Sequence, residues 1–164
     1  MSPLKLWIWK LATWWLPETR CFGFKASLLR WCGATVGENV RIVSGAEIVG
    51  NGYLAIGDDV FIGAGTRLVA AAPAGIEIGS HVDIAPRVMI LTGSHEVDFS
   101  GEHIAGKGSN KSVKIGDGTW LCAGAVILPG VEIPPKTLVA AGAVVARSVA
   151  GSGKRVGGVP AREI

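Results

Sequence analysis

The chain has 164 residues, enough for a single domain. Hydrophobic residues make up 49% and charged residues 18%, so there is ample apolar surface to bury and intrinsic disorder is excluded. The 24 glycines follow no three-residue period of the collagen kind, and a net charge of +3 without a Lys/Arg run gives no reason to expect nucleic acid. Cys21, Cys32 and Cys122 are odd in number, widely spaced and in no CxxC arrangement. Neither a disulfide framework nor a zinc ribbon fits them, and a reducing cytoplasm is expected.

The first element is the apolar stretch Leu4–Leu16 (LKLWIWKLATWWL), interrupted by Lys5 and Lys10 and stopped by Pro17. Its roughly 13 residues fall short of the ~20 that a bilayer core requires. No small-residue cleavage site follows, so neither a spanning helix nor a secretory leader is expected. Residues 1–35 instead read as a Trp-rich cap of two short helices around Pro17, covering an otherwise open strand edge. Trp7, Trp9, Trp14, Trp15 and Trp31 fall in it, with Lys5, Lys10, Arg20, Lys25 and Arg30 among them. On a helix over 4–16, Leu4, Ile8, Leu11 and Trp15 share one stripe, with Trp7 and Trp14 beside it. Packing against the fold's end or a neighbouring subunit is one use of that stripe. Peripheral contact with an anionic membrane is the other.

From Val36 onward a six-residue frame governs the chain. Branched aliphatics stand at Val36, Ile42, Ile48; Ile56, Ile62, Leu68; Ile78, Ile84, Ile90; then Ile115, Leu121, Ile127, Ile133, Val139 and Val145. A small or β-branched residue follows four positions later, as at Thr119, Ala125, Val131, Thr137 and Ala143. Helices repeat at three and four and simple strands at two, so neither explains this period. Three hexads close a triangular coil, with the aliphatic turned inward and the small residue at the corner. The predicted fold is an all-β solenoid over 36–164, a left-handed parallel β-helix of about five hexapeptide-repeat coils. The coils read 36–53, 56–73, 78–95, 115–132 and 133–150.

Breaks in the frame mark places of interest. Extra residues at Leu54–Ala55 and Ala74–Glu77 read as corner bulges. Residues 96–114 (EVDFSGEHIAGKGSNKSVK) fit no hexad and read as one long protruding loop. Loops of that length inside a regular scaffold tend to carry function.

The stretches IGDGTWLCAGAVILPGVEI, VAAGAVVARSV and VGGVPAREI resemble the carboxy-terminal signature of hexapeptide-repeat acyltransferases. ILTGSHEVDFSGEHIAGKG and LPETRCFGFKASLLRWCGATVGENVRI resemble the exopolysaccharide and colanic-acid O-acetyltransferases. The galactoside and maltose acetyltransferases are more distantly similar. The resemblance implies a homotrimer that uses acetyl-CoA as co-substrate, without a metal, on a carbohydrate acceptor. It also implies sites between neighbouring prisms; with the cysteine usage and the Trp-rich cap, the expected location is the cytoplasm, or the inner face of the membrane if the cap docks there.

His95, at the junction of coil three and the loop, matches the family's general base, and an imidazole suits proton removal from a hydroxyl near neutral pH. Its ring is expected at a corner, facing outward. Trp120, one coil further, is expected near that same corner. The family's CoA contacts carry over to Trp120, Ala123, Ala141, Ala146, Arg147 and Arg162, with Lys154 and Arg155 as further phosphate partners. A backbone N–H near Ala123 is an oxyanion-donor candidate. Glu96, Asp98 and His103 in the loop are candidates for acceptor binding.

His81 reads as a turn residue and Cys122 as a packing residue, since no base stands near that thiol. GSGK at 151–154 lacks the spacing and context of a phosphate loop. The histidines lack the spacing of an intersubunit zinc site. The hexad IGAGTR lacks the asparagine with which the galactoside and maltose enzymes hold acceptor, so the acceptor's identity stays open. Alternatives are transfer to a small acceptor, such as a sugar-nucleotide amine or an antibiotic, and a non-catalytic solenoid scaffold.

Overall fold

The six-residue frame becomes three flat faces in the computed structural model, which describes all 164 residues. Strands Thr35–Val36, Tyr53–Ile56, Gly75–Ile78, Val113–Ile115 and Glu132–Ile133 stack in parallel as the first face. The second stacks Arg41–Ile42, Phe61–Ile62, Asp83–Ile84, Trp120–Leu121 and Leu138–Val139, then Arg155–Gly157 and the antiparallel Arg162–Glu163. The third stacks Glu47–Val49, Arg67–Val69, Met89–Leu91, Val126–Ile127 and Val144–Val145. This is a parallel β-solenoid of five turns.

Register follows the frame residue for residue. Ile42, Ile62, Ile84, Leu121 and Val139 pair successively down the second face, and Ile48, Leu68, Ile90, Ile127 and Val145 down the third. All fifteen in-frame aliphatics are buried. Each fully buried Ile or Leu contributes about 1.5–3 kcal/mol of apolar burial. The corner threonines Thr66, Thr92, Thr119 and Thr137 are also buried, and their hydroxyls donate to the carbonyls of Ala85, Val69, Pro134 and Pro134. A β-branched polar residue thus closes a corner without leaving an unpaired group.

The breaks resolve differently from the expectation. Leu54–Ala55 lies within the four-residue strand Tyr53–Ile56, and Ala74–Glu77 overlaps Gly75–Ile78. The insertions lengthen two first-face strands instead of bulging a corner, because Leu54 and Ile76 pair with each other and bury as a second inward position. The long loop is a β-hairpin arm: Gly93–Val97 pairs antiparallel with Ala105–Asn110. It starts at Gly93, three residues before the expected boundary. His95 therefore stands on the arm itself and not at the end of a coil.

The cap holds helix α1 (Pro3–Trp14) and helix α2 (Phe22–Trp31). Leu6, Trp9, Ala26, Leu29 and Cys32 join the same apolar cluster as the solenoid aliphatics. Along the solenoid many strand N–H groups of one coil bond carbonyls of the next, as Gly37 does to Ile56 and Val43 to Ile62. The Val36 and Ile42 carbonyls of the first coil have no preceding coil to bond them. Cap cations take them: Arg30 Nε donates to Val36 (2.8 Å), and Lys25 Nζ to Ile42 (3.1 Å). The cap thereby pairs part of the edge hydrogen-bond ladder as well as covering the core.

Candidate active site

The arm leaves the solenoid at the corner after the third face. Its root is fastened there by Asn110, whose Nδ2 donates to the Ala72 carbonyl (2.9 Å). Thr92 adds to this, accepting from the Ala71 N–H (2.8 Å) while its own carbonyl accepts from Lys111. On the rising strand His95 is exposed, opposite Gly108. Its Nδ1 lies 2.8 Å from the Gly106 carbonyl oxygen. A carbonyl only accepts, so Nδ1 carries the hydrogen and donates it. In the neutral ring Nε2 is then left as a free acceptor, which is the state a general base requires.

The other arm candidates have different surroundings. Glu96 is exposed beside a break in the hairpin register between His95 and Val97. The Asp98 carboxylate accepts from the Ser100 N–H (2.8 Å), the Ser100 hydroxyl (2.7 Å) and the Gly101 N–H (3.0 Å). These bonds, the hydroxyl's first, hold its carboxyl below the ordinary carboxylate range. Asp98 thus builds the turn at the arm's tip. His103 is exposed within that tip.

Trp120 is not at the His95 corner. It stands half-exposed on the second face, between Asp83 and Leu138 in register, three residues before Ala123. Ala123 and Ala141 occupy the next corner, between the second and third faces. They sit one coil apart, the Gly142 N–H donating to the Ala123 carbonyl (2.9 Å). Each is followed by a left-handed glycine, Gly124 (φ +70°) and Gly142 (φ +67°), so in these two coils the corner is stripped of long side chains. A groove of about 740 Å³ runs along it, lined by Glu18, Ser44, Gly65, Arg87, Ala123 and Gly124 among others. None of its lining residues belongs to the arm. Within one chain, His95 and Ala123 stand on different corners, with the width of the third face between them.

Ala146 and Arg147 follow the third-face strand Val144–Val145, at the arm's corner but in the last coil. Arg147 and Arg162 together line a hollow of about 270 Å³ with Val149, Ala150 and Glu163. Lys154 is tied to Glu163 (2.6 Å). His81, at left-handed φ +58°, meets Asp59 Oδ2 at 3.2 Å and is a corner residue, as expected. Burial raises the Cys122 thiol above its ordinary range, which disfavours the nucleophilic thiolate. The sequence reading missed three groups: the Gly106 carbonyl, Thr92 and Asn110. A backbone carbonyl leaves no residue-type signal at all.

The family model described as hexapeptide repeat of succinyl-transferase matches residues 53–85 and 112–147. WcaF of Escherichia coli (strain K12), by provisional assignment a colanic acid biosynthesis acetyltransferase, is 30% identical over 148 residues, covering 85% of this chain and 78% of that one. The hexapeptide-repeat acetyltransferase VCA0836 of Vibrio cholerae, solved with acetyl-CoA, superposes with a TM-score of 0.72 at 24% identity, over 99% of this chain and 85% of that one. A galactoside acetyltransferase solved with coenzyme A gives 0.68 at 22% identity, over 99% and 78%. Repeat, register and arm define a hexapeptide-repeat protein. The chain belongs to the hexapeptide-repeat acetyltransferase family, and the enzyme class that follows is acyltransferase.

Proposed function

We propose that the protein moves an acetyl group from acetyl-CoA to a sugar hydroxyl of a bacterial surface polysaccharide or its precursor, as a cytoplasmic homotrimer with His95 as general base. The observation that carries the role of His95 is its bond to Gly106, which leaves Nε2 free on an exposed arm. Nε2 takes the hydroxyl proton as the sugar oxygen attacks the thioester carbon. The tetrahedral oxyanion is met by a backbone N–H near Ala123. Its collapse breaks the C–S bond, and the imidazolium returns the proton to the departing thiolate. No acyl-enzyme forms, consistent with the raised Cys122 thiol.

The stripped corner at Ala123 and Ala141 suits the narrow pantetheine arm of CoA, with the Trp120 indole beside it. Arg147 and Arg162 supply fixed cations for its phosphates. Because His95 and that corner are separated in one chain, the reading puts the His95 arm of one subunit over the Ala123–Ala141 corner of its neighbour. Glu96 and His103 then face the acceptor from the arm. The similarity to WcaF favours a polysaccharide acceptor.

The test is an acceptor panel of sugars with acetyl-CoA, reading released thiol, together with light scattering for the trimer. His95→Ala is expected to lower turnover by roughly two to four decades with unchanged melting. Undiminished turnover in that variant overturns the assignment.

A further inference from the structure

Helix α1 is apolar on both sides, and the solenoid uses only one. Leu6, Trp9 and Thr13 face inward and are buried. Leu4, Trp7, Ile8, Leu11, Trp14 and Trp15 all face outward, with Trp15 86% exposed. At 3.6 residues per turn these six fall within an arc of about 120°, with Lys5 beyond one border and Lys10 beyond the other. A helix that is hydrophobic all round requires a second apolar partner.

Two observations identify that partner. The first is charge. Residues 1–35 hold five basic side chains (Lys5, Lys10, Arg20, Lys25, Arg30) against the single acid Glu18, a net of +4, and of the five only Lys25 is buried. Subtracting these from the whole chain's 16 and 13 leaves 11 basic and 12 acidic over residues 36–164, a net of −1. No carboxylate lies on α1. The second is hydrogen bonding. The buried Trp9 indole N–H donates to the Lys25 carbonyl (3.1 Å), whereas the indoles of Trp7, Trp14 and Trp15 have no acceptor in the chain. A dry interface with a second copy would strand three indole donors and, if symmetric, bring two basic caps together. A lipid headgroup layer accepts the N–H groups, takes the apolar face and attracts the charge.

We infer that the outward face of α1 docks the protein on an anionic phospholipid surface, α1 lying in the plane of the interface. Insertion is shallow, since no helix of the structure is long and apolar enough to cross a membrane. The inference goes beyond acetyl transfer and uses none of the residues assigned to it, so the two fail separately.

The experiment is co-sedimentation of the full chain with phosphatidylcholine vesicles containing a third phosphatidylglycerol, against pure phosphatidylcholine. The expected result is binding that prefers the anionic vesicles and weakens with added salt. It should fall about tenfold or more in the triple variant Trp7→Ser, Trp14→Ser, Trp15→Ser. In the unaltered protein, brominated lipid should quench tryptophan emission, a readout that needs no variant to fold. Transfer to a soluble acceptor should be the same in protein and variant. Absence of binding and quenching, or equal binding by the variant, overturns the inference. So does a change of light-scattering mass in the variant without vesicle binding by the parent, which would assign the face to a second copy.

Discussion

Lys25 stands where the solenoid lacks a coil: its ammonium donates to the Ile42 carbonyl at 3.1 Å and to Glu18 and Pro17 carbonyls at 2.9 and 3.4 Å. The side chain is wholly buried, and burial lowers its pKa from the ordinary lysine range. One residue thus satisfies a first-coil edge carbonyl and fixes the link between α1 and α2. Lys25→Met keeps the length and removes all three bonds. A stability loss of about 1–3 kcal/mol is expected, the cost of a buried acceptor left unpaired. Denaturant melts read it, and an unchanged midpoint contradicts this role.

Asn110 positions the arm. Asn110→Ala frees its root from Ala72 while leaving His95 and the solenoid core in place. Catalytic efficiency should fall about ten- to a hundredfold with melting unchanged, because small misplacements of a reacting group are costly. Unaltered kinetics would mean that backbone pairing alone sets the arm.

Division of the site between chains has a quantitative signature. His95→Ala and Ala141→Phe chains, each inactive alone, are mixed one to one and refolded together. A site that takes His95 from one chain and the Ala141 corner from the next is whole with probability one half times one half. About a quarter of the parental activity is then expected. A site contained in one chain predicts none.

Cys122 is expected to be dispensable. Cys122→Ala should keep turnover, and iodoacetamide near neutral pH should modify exposed Cys21 well before Cys122, whose thiol is held up by burial. A loss of turnover that tracks Cys122 alkylation would argue for an acyl-enzyme.

Acid should loosen the cap. The hydrogen bond from Lys10 to Glu47 (2.7 Å) holds the Glu47 carboxyl below its ordinary range, Lys10 and Arg67 charges adding to it against some burial. The folded value lies below the unfolded one. The stabilisation is therefore present above the ordinary carboxylate range and is lost as pH falls through the folded value. For a half-exposed pair it amounts to at most about 1 kcal/mol. Glu47→Gln should melt slightly earlier than the parent at about pH 7, and the gap should narrow as pH falls below the ordinary carboxylate range.

The aliphatic frame was legible because a hexad couples position to burial locally: Ile42, Ile62, Ile84 and Leu121 each turn inward for the same reason. The arm's form was not legible. Ala105–Asn110 (AGKGSN) has no buried face, so no alternation marks it as a strand. Counting coils along the sequence sets Trp120 against His95. The six-residue period repeats identically at all three corners, and only closure of the triangle shows that Trp120 precedes the Ala123 corner while His95 leaves from another.

The sequence by itself determined that the in-frame aliphatics point inward, how many coils there are, and the family signature, because all three are local or strictly periodic. Tertiary structure decided what local pattern leaves degenerate. Both sides of α1 are apolar, so periodicity cannot choose between them. The shape of the solenoid's end takes Leu6, Trp9 and Thr13 and leaves Leu4, Trp7, Ile8, Leu11, Trp14 and Trp15 outside. The tautomer of His95 likewise depends on the Gly106 carbonyl, eleven residues along the chain, and is set only when the hairpin closes.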